Sequence, residues 1–374
     1  FYKDIKDNYI SEVINTNTIK KLSKRMIDNI FCNMEFLKDS SSLAELKKIL
    51  PDDIPAIIVA AGPSVEENIK ELKRAKGRAV IFAVDSILKY LLNAGIEPDF
   101  VVTIDPNKSI RHFTGKNPVS VPLIAYMEAN HELLKLHKGK KIFCSQNEFV
   151  NEIYRNVGKI PPYIEPSGSV AIVAFNVCLH LGIKEIILVG QDLAYKDNKT
   201  HAGRNNNVEF NPHTDVMVEG IHGESIRSRY DWHEYIRGYE NIISQNPDIT
   251  VIDAKKFGAK IIGTKVMDLK VAIDQYCNKY YEEIFNIENI ENTFRDNEIK
   301  HIREYLHINL YTLTSIKNKI TKAIKDCDIL IKENYNPGSK KFTDALKRIE
   351  KTNKYIETQK IYSVIDSYVV AITT

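Results

Sequence analysis

Long apolar runs, paired cysteines and an excess of one charge are all missing from this chain of 374 residues, and each absence excludes a class of protein. No apolar stretch is long enough to span a bilayer, and the opening FYKDIKDNY is charged where a signal peptide carries its apolar segment. The five cysteines (Cys32, Cys144, Cys178, Cys277 and Cys327) are scattered, with no Cys-x-x-Cys pair. That pattern argues against a disulfide framework or a zinc site and fits a reducing cytoplasm. Lys+Arg 52 against Asp+Glu 49 leaves a net charge of +3, too small a bulk field to hold nucleic acid. Neither Gly-x-Gly-x-x-Gly nor Gly-x-x-x-x-Gly-Lys occurs, so the dinucleotide fingerprint and the Walker loop are both absent. The expectation is a cytoplasmic protein with neither membrane nor nucleic acid as partner. A first residue of Phe, not Met, reads as a start inside a longer gene product.

What is present is a large apolar inventory, 43% of residues, arranged in alternating periods. From about Thr18 to Leu50 the spacing of Ile19, Leu22, Met26, Ile27 and Ile30 predicts a helix, and Ser40-Ser41-Ser42 a break before a second one. From Pro55 to about Asp253, Val/Ile-rich runs (IIVAA, AVIFAVD, FVVTID, PLIAYM, KIFCS, EIILVG, ITVID) alternate with amphipathic segments. Such alternation predicts an α/β, Rossmann-like, doubly wound and mainly parallel sheet. Asp197 to Arg229 is polar and turn-rich and reads as a functional loop or lid. After about Leu269 the chain turns helical, with Pro337-Gly338-Ser339 between two long stretches, which predicts a helical hairpin or bundle. The expected domains are a helical lead-in over 1–54, a nucleotide-sugar-binding domain over 55–267 and a C-terminal helical domain over 268–374.

Ligands of open parallel sheets bind beyond the carboxyl ends of the strands, so the polar residues there are the candidates. The first strand ends on Gly62-Pro63-Ser64, where Ser64 and Glu67 have the spacing of a capping box and the helix start favours an anion. A plain strand-to-helix connector has the same pattern. Asp85 and Asp105 end the next strands, suited to ribose hydroxyls, a base edge or Mg²⁺, or, for Asp85, to capping the following helix. Ser167-Gly168-Ser169 opens another helix, as an anion seat or a simple N-cap, and Gln191-Asp192 ends a later strand. His201, His213, His222 and His233 follow, and a loop imidazole is either a surface residue or a general base. Their spacing makes a poor zinc site. Tyr195 would either hydrogen-bond a leaving phosphate or pack at the sheet edge.

Together these residues resemble the motility-associated factor (Maf) flagellin glycosyltransferases, whose central domain is similar to CMP-sialic-acid-dependent sialyltransferases. AAGPSV, NAGIEPDFVVTIDP and, most specifically, SGSVAIVAFNVCLHLGIKEIILVGQDLAY followed by Thr200-His201-Ala202 carry the likeness, over roughly Asn29 to Thr264. The resemblance implies transfer of a nonulosonic acid of the pseudaminic or legionaminic type from a CMP-activated donor to Ser/Thr of flagellin, by inverting displacement without metal or cofactor. It implies that Gly62, Pro63 and Ser64 face the nucleotide phosphate, Asp85 and Asp105 the nucleoside, and Gly168 and Ser169 the sugar or its carboxylate. Ser167, Gln191, Asp192 and Tyr195 would complete the cleft, with His201 or His233 as the base. The chain departs from the family pattern in two places: Ala60 stands where the turn's first glycine is expected, and Ala254-Lys255-Lys256-Phe257-Gly258-Ala259 has two lysines in place of Thr and Glu, expected to form a cationic loop at the cleft. The Gly-Pro-Ser and Asp-bearing core also resembles the MptE-like 6-hydroxymethylpterin diphosphokinases, which implies pyrophosphate transfer from ATP with Mg²⁺ held by Asp85 and Asp105. A third expectation is a non-enzymatic flagellin-binding assembly factor.

Overall fold

The computed structural model describes residues 22–113, 120–165, 167–202, 208–281, 290–362 and 364–365. Compactness divides the chain into two units, residues 1–146 with 162–294 and residues 147–161 with 295–374. The described part of the lead-in and the helix over 269–276 both lie in the first unit.

In the first unit, helix α1 (residues 22–33) precedes strand β1 (Ser41–Ser42) and α2 (Leu43–Lys47). Then follow β2 (Ala56–Val59), α3 (Val65–Ala75), β3 (Val80–Val84), α4 (Leu88–Asn93), β4 (Phe100–Thr103), β5 (Leu123–Tyr126), α5 (His131–Leu136) and β6 (Lys141–Cys144). After α6 (Glu148–Asn156), which belongs to the second unit, come α7 (Val170–Leu181), β7 (Glu185–Val189), β8 (Asp215–Glu219), β9 (Ser225–Arg229), α8 (Tyr230–Gln245), β10 (Thr250–Asp253), β11 (Lys265–Val266) and α9 (Leu269–Tyr276). Nine strands form one parallel sheet in the order β1-β6-β5-β4-β3-β2-β7-β10-β11, as the alternation of runs predicted.

Burial explains which strands lie at the centre. Every residue of β2, β3, β4 and β5 is buried, the signature of a parallel strand covered on both faces. Helix α7 is apolar on nearly every side and lies in the core cluster with Ile58, Phe82 and Val102, so tertiary burial, not amphipathicity, holds it. It ends on Gly182 at φ +87, the left-handed cap that the Leu181-Gly182 pair foreshadowed. Asn29 and Asn33 of α1 donate to the Glu128 and Met127 carbonyls at 2.9 and 2.8 Å, pinning the helix to the end of β5.

Two elements differ from expectation. The Ser40-Ser41-Ser42 break is an edge strand, β1, paired with β6. The stretch read as one polar loop contains the antiparallel pair β8 and β9, where Asp215 faces Arg229 and Glu219 faces Ser225. In the second unit, α10 (Asp296–Lys332) and α11 (Lys340–Glu357) form the expected hairpin through Pro337-Gly338. No helix among the described residues is long and apolar enough to cross a membrane.

Candidate functional site

Chain direction across the sheet reverses between β2 and β7. From β2 the strands run outward through β3 to β6, while β7 lies on the other side of β2 and leads to β10. A crevice at the carboxyl ends of two such strands is where open α/β sheets bind ligands. Here a cavity of about 240 Å³ opens, lined by the ends of β2 (Ala60 to Gly62), β3 (Asp85) and β7 (Gly190 to Asp192), by the start of α7, and by Lys108, His201, Trp232 and Tyr235.

The start of α3 is not the open anion seat expected of Gly62-Pro63-Ser64. Ser64 makes no capping bond, and Glu67 does not close a capping box; Glu67 pairs with Lys196 instead. The Ser64 N–H donates to Asp192 Oδ2 at 2.8 Å and the Ser64 hydroxyl donates to Asp192 Oδ1. The positive end of α3 thus holds the chain's own carboxylate. Burial pushes the Asp192 carboxyl up, opposed by both Ser64 hydrogen bonds and by Lys255 and Lys196. Gly62 serves packing: a Cβ there would stand 2.4 Å from the Gly190 carbonyl oxygen and 2.8 Å from Asp192 Cγ. Gly190 adopts φ +72, so both turns need glycine.

The start of α7 is the free one. Ser169 occupies its N-cap without a side-chain cap bond, while Ser167 Oγ accepts the Ser169 N–H at 3.2 Å. Gly168, Ser169, Val170 and Ala171 line the cavity, presenting the first turn of a twelve-residue helix to it. Gln191 is 3% exposed, and among the described residues its Nε2 has no hydrogen-bond partner. A buried amide donor without an acceptor is costly, and this one lines the same cavity as the helix terminus. The two features together make a seat for an anionic oxygen.

Asp85 lines the cavity, accepts a hydrogen bond from Thr103 Oγ1 at 2.8 Å and pairs with Lys108. Asp105 does not line it. Its Oδ1 accepts the Asn107 N–H at 2.7 Å in a local turn, and its carbonyl accepts the Asn130 N–H at 3.2 Å. Lys108, absent from the candidates, sits in a loop without any spacing that singles it out.

Of the two candidate bases, His201 lines the cavity, with Nδ1 2.8 Å from Thr200 Oγ1, and His233 does not; its Nδ1 lies 3.8 Å from Glu234. His222 Nε2 is 3.3 Å from the Lys256 carbonyl, and His213 lines a separate pocket beside β8. Tyr195 is turned from the cavity. Its hydroxyl donates to Asp215 at 3.2 Å, its ring is stacked by the Arg227 guanidinium at 4.0 Å, and the Trp232 ring lies 5.0 Å away. The aromatic wall is made by Trp232 and Tyr235, whose hydroxyl donates to the Gly168 carbonyl at 3.1 Å. Both sit in the regular amphipathic pattern of α8, which hid them.

The lysines expected as a cationic loop separate. Lys255 is fully buried; its Nζ donates to the Gln191 carbonyl at 3.0 Å and the Ala259 carbonyl at 2.6 Å and pairs with Asp253 at 2.7 Å. It braces the end of β7 from behind. Lys256 is exposed and pairs with Asp268.

The fold is an open α/β sheet with a cavity at the strand reversal, and comparison with known proteins adds to this. Residues 24–198 match the family model described as 6-hydroxymethylpterin diphosphokinase MptE-like. An uncharacterized protein of Treponema pallidum (strain Nichols) is 26% identical over 283 residues, covering 68% of this chain and 48% of that protein. A second uncharacterized protein of that organism is 39% identical over 51 residues, 14% of this chain and 24% of that protein. The solved structure of the Maf glycosyltransferase from Magnetospirillum magneticum AMB-1 aligns with TM-score 0.56 and 16% identity, over 94% of this chain and 58% of that one. The chain thus spans about half the length of the first curated relative. Residues 24–198 are thus similar to the MptE-like family and the chain shares the fold of that Maf glycosyltransferase, the two likenesses that the sequence motifs suggested.

Proposed function

We propose that this chain is a glycosyltransferase that moves a nonulosonic acid from a CMP-activated donor to Ser/Thr of flagellin by a metal-independent inverting displacement. One observation carries the reading: an uncapped helix start, an unpartnered buried amide and a histidine converge on one cavity at the strand reversal. A CMP-linked nonulosonic acid has two anionic groups next to the reacting carbon, its carboxylate and its phosphate. The α7 N–H groups and Gln191 Nε2 would hold the phosphate, and Lys108, paired with Asp85 at the cavity wall, would face the carboxylate. The acceptor oxygen attacks the anomeric carbon as the bond to the CMP phosphate breaks, and His201 takes the hydroxyl proton.

The pyrophosphokinase reading has the family-model description behind it and requires Mg²⁺ on Asp85 and Asp105. Asp85 is engaged by Lys108 and Thr103, and Asp105 lies outside the cavity lining, so the two do not form a donor set. The assembly-factor reading predicts no turnover. The test is transfer from a CMP-nonulosonic acid to flagellin, read as a mass increase of the acceptor. Transfer that His201→Ala abolishes supports the proposal; pterin pyrophosphorylation, or no turnover with either donor, contradicts it.

A further inference from the structure

Two buried carboxylates share one cation behind the anion seat. Asp192 is 2% exposed and Asp253 is fully buried. Lys255 pairs with Asp253 at 2.7 Å and donates to the Gln191 carbonyl, and Asp192, the next residue, feels the same charge. With both acids ionised, the cluster holds two negative charges against one positive.

The groups facing this pair leave the imbalance in place. At the start of α3, Ser64 gives Asp192 its N–H and its hydroxyl, which are neutral donors. The Tyr239 hydroxyl of α8 lies near Asp253 and is neutral as well. Lys196 acts on Asp192 but is paired with Glu67. On the cavity lining, Lys108 is paired with Asp85, and His201 is a neutral imidazole when it serves as a base. Among the described residues, no unpaired cation faces the second carboxylate. Burial pushes both carboxyls up, Asp253 to about 6.

The hydrogen bonds accommodate a proton. On Asp192 Oδ1 it would donate to the Ser64 hydroxyl, which accepts as readily as it donates, while Oδ2 keeps the Ser64 N–H. The Asp253 oxygens have no hydrogen-bond partner among the described residues beyond the ion pair with Lys255, so one of them is open to a proton. An anion held by Gln191 Nε2 would occupy the cavity that Asp192 also lines. It would add a third negative charge, and like charges disfavour ionisation of both acids.

We propose that an anion enters this seat together with one proton from solvent, taken up by the Asp192 and Asp253 pair. The inference rests on the anion seat of the proposed transferase and adds proton-linked control of donor binding to it. Because the complex holds more protons than the free protein, binding tightens as pH falls.

The probe is cytidine 5′-O-methyl phosphate, whose phosphodiester stays singly charged near neutral pH. It is titrated calorimetrically into the whole chain in buffers of different ionisation enthalpy, which counts the protons exchanged. The expected uptake is about 0.5 to 1 proton per ligand at about pH 7, with affinity falling up to about tenfold per pH unit above that. Asp192→Asn and Asp253→Asn, each checked for folding by circular dichroism, should bring the uptake toward zero, and His201→Gln should keep it. The wild-type count and pH slope stand even where a variant fails to fold. Binding without proton uptake overturns the inference and leaves the transferase reading intact. Uptake that persists in Asp192→Asn and vanishes in His201→Gln also overturns it, and absence of binding overturns both.

Discussion

The Asp192 carboxylate takes both the backbone N–H and the hydroxyl of Ser64, across the strand reversal. It does what an external anion would do at the start of α3, and it ties the end of β7 to the turn after β2. Ser64→Ala and Asp192→Asn should each destabilise the fold by about 1–3 kcal/mol, since each leaves a buried polar group short of a partner. The double variant should lose less than the sum in urea unfolding, because the two residues act as one unit.

Lys255 and Asp253 form a buried pair behind the cleft, and removing one leaves the other charged and alone. Lys255→Met should cost about 3–5 kcal/mol by denaturant titration. Replacing both, with Asp253→Leu added, should recover much of that loss, because two apolar residues leave no orphaned charge.

Glu128 is fully buried beside Ser145, and burial pushes its carboxyl up to about 7. The folded state therefore holds a proton that the unfolded chain releases above about 4.5. Stability from this group falls as pH rises between those values, by up to about 3 kcal/mol. Burial pulls the His137 imidazole down to about 4, which makes stability rise with pH over an overlapping range. The two slopes oppose each other, so the wild-type profile alone conceals both. The difference between wild type and Glu128→Gln, followed by urea unfolding from pH 4 to 8, should show the Glu128 slope by itself.

His201 and His233 are separated by placement: the first lines the cavity, the second does not. If His201 takes the acceptor proton, His201→Ala should lower kcat by roughly 10²- to 10⁴-fold, with His233→Ala close to wild type. Donor binding should change little in either, which a kcat against KM comparison would show.

The sheet was legible because its buried strands are short Val/Ile runs bounded by turns, and because α7 ends on a readable glycine. The edge strands β1 and β11 have two residues each and carry no period to read. The β8–β9 pair is half exposed, and Asp215, Glu219, Arg227 and Arg229 gave its residues the composition of a loop. Ser-x-x-Glu occurs at both Ser42 and Ser64. Only the first closes a capping box, with Glu45, because Asp192 reaches Ser64 from far along the chain. Lys255 misled for the same reason: a loop lysine reads as exposed unless Asp253 and two carbonyls are known to surround it. Strand ends named most of the cleft, but which of their groups are already engaged depends on partners that local sequence does not reveal.

The account rests on an anion seat formed by the start of α7 and Gln191. Calorimetric titration of CMP, with and without Mg²⁺, into wild type and Gln191→Ala tests it most directly. The prediction is metal-independent CMP binding in wild type, weakened about tenfold in Gln191→Ala without loss of thermal stability. Binding of ATP only with Mg²⁺, unchanged by Gln191→Ala, would contradict it.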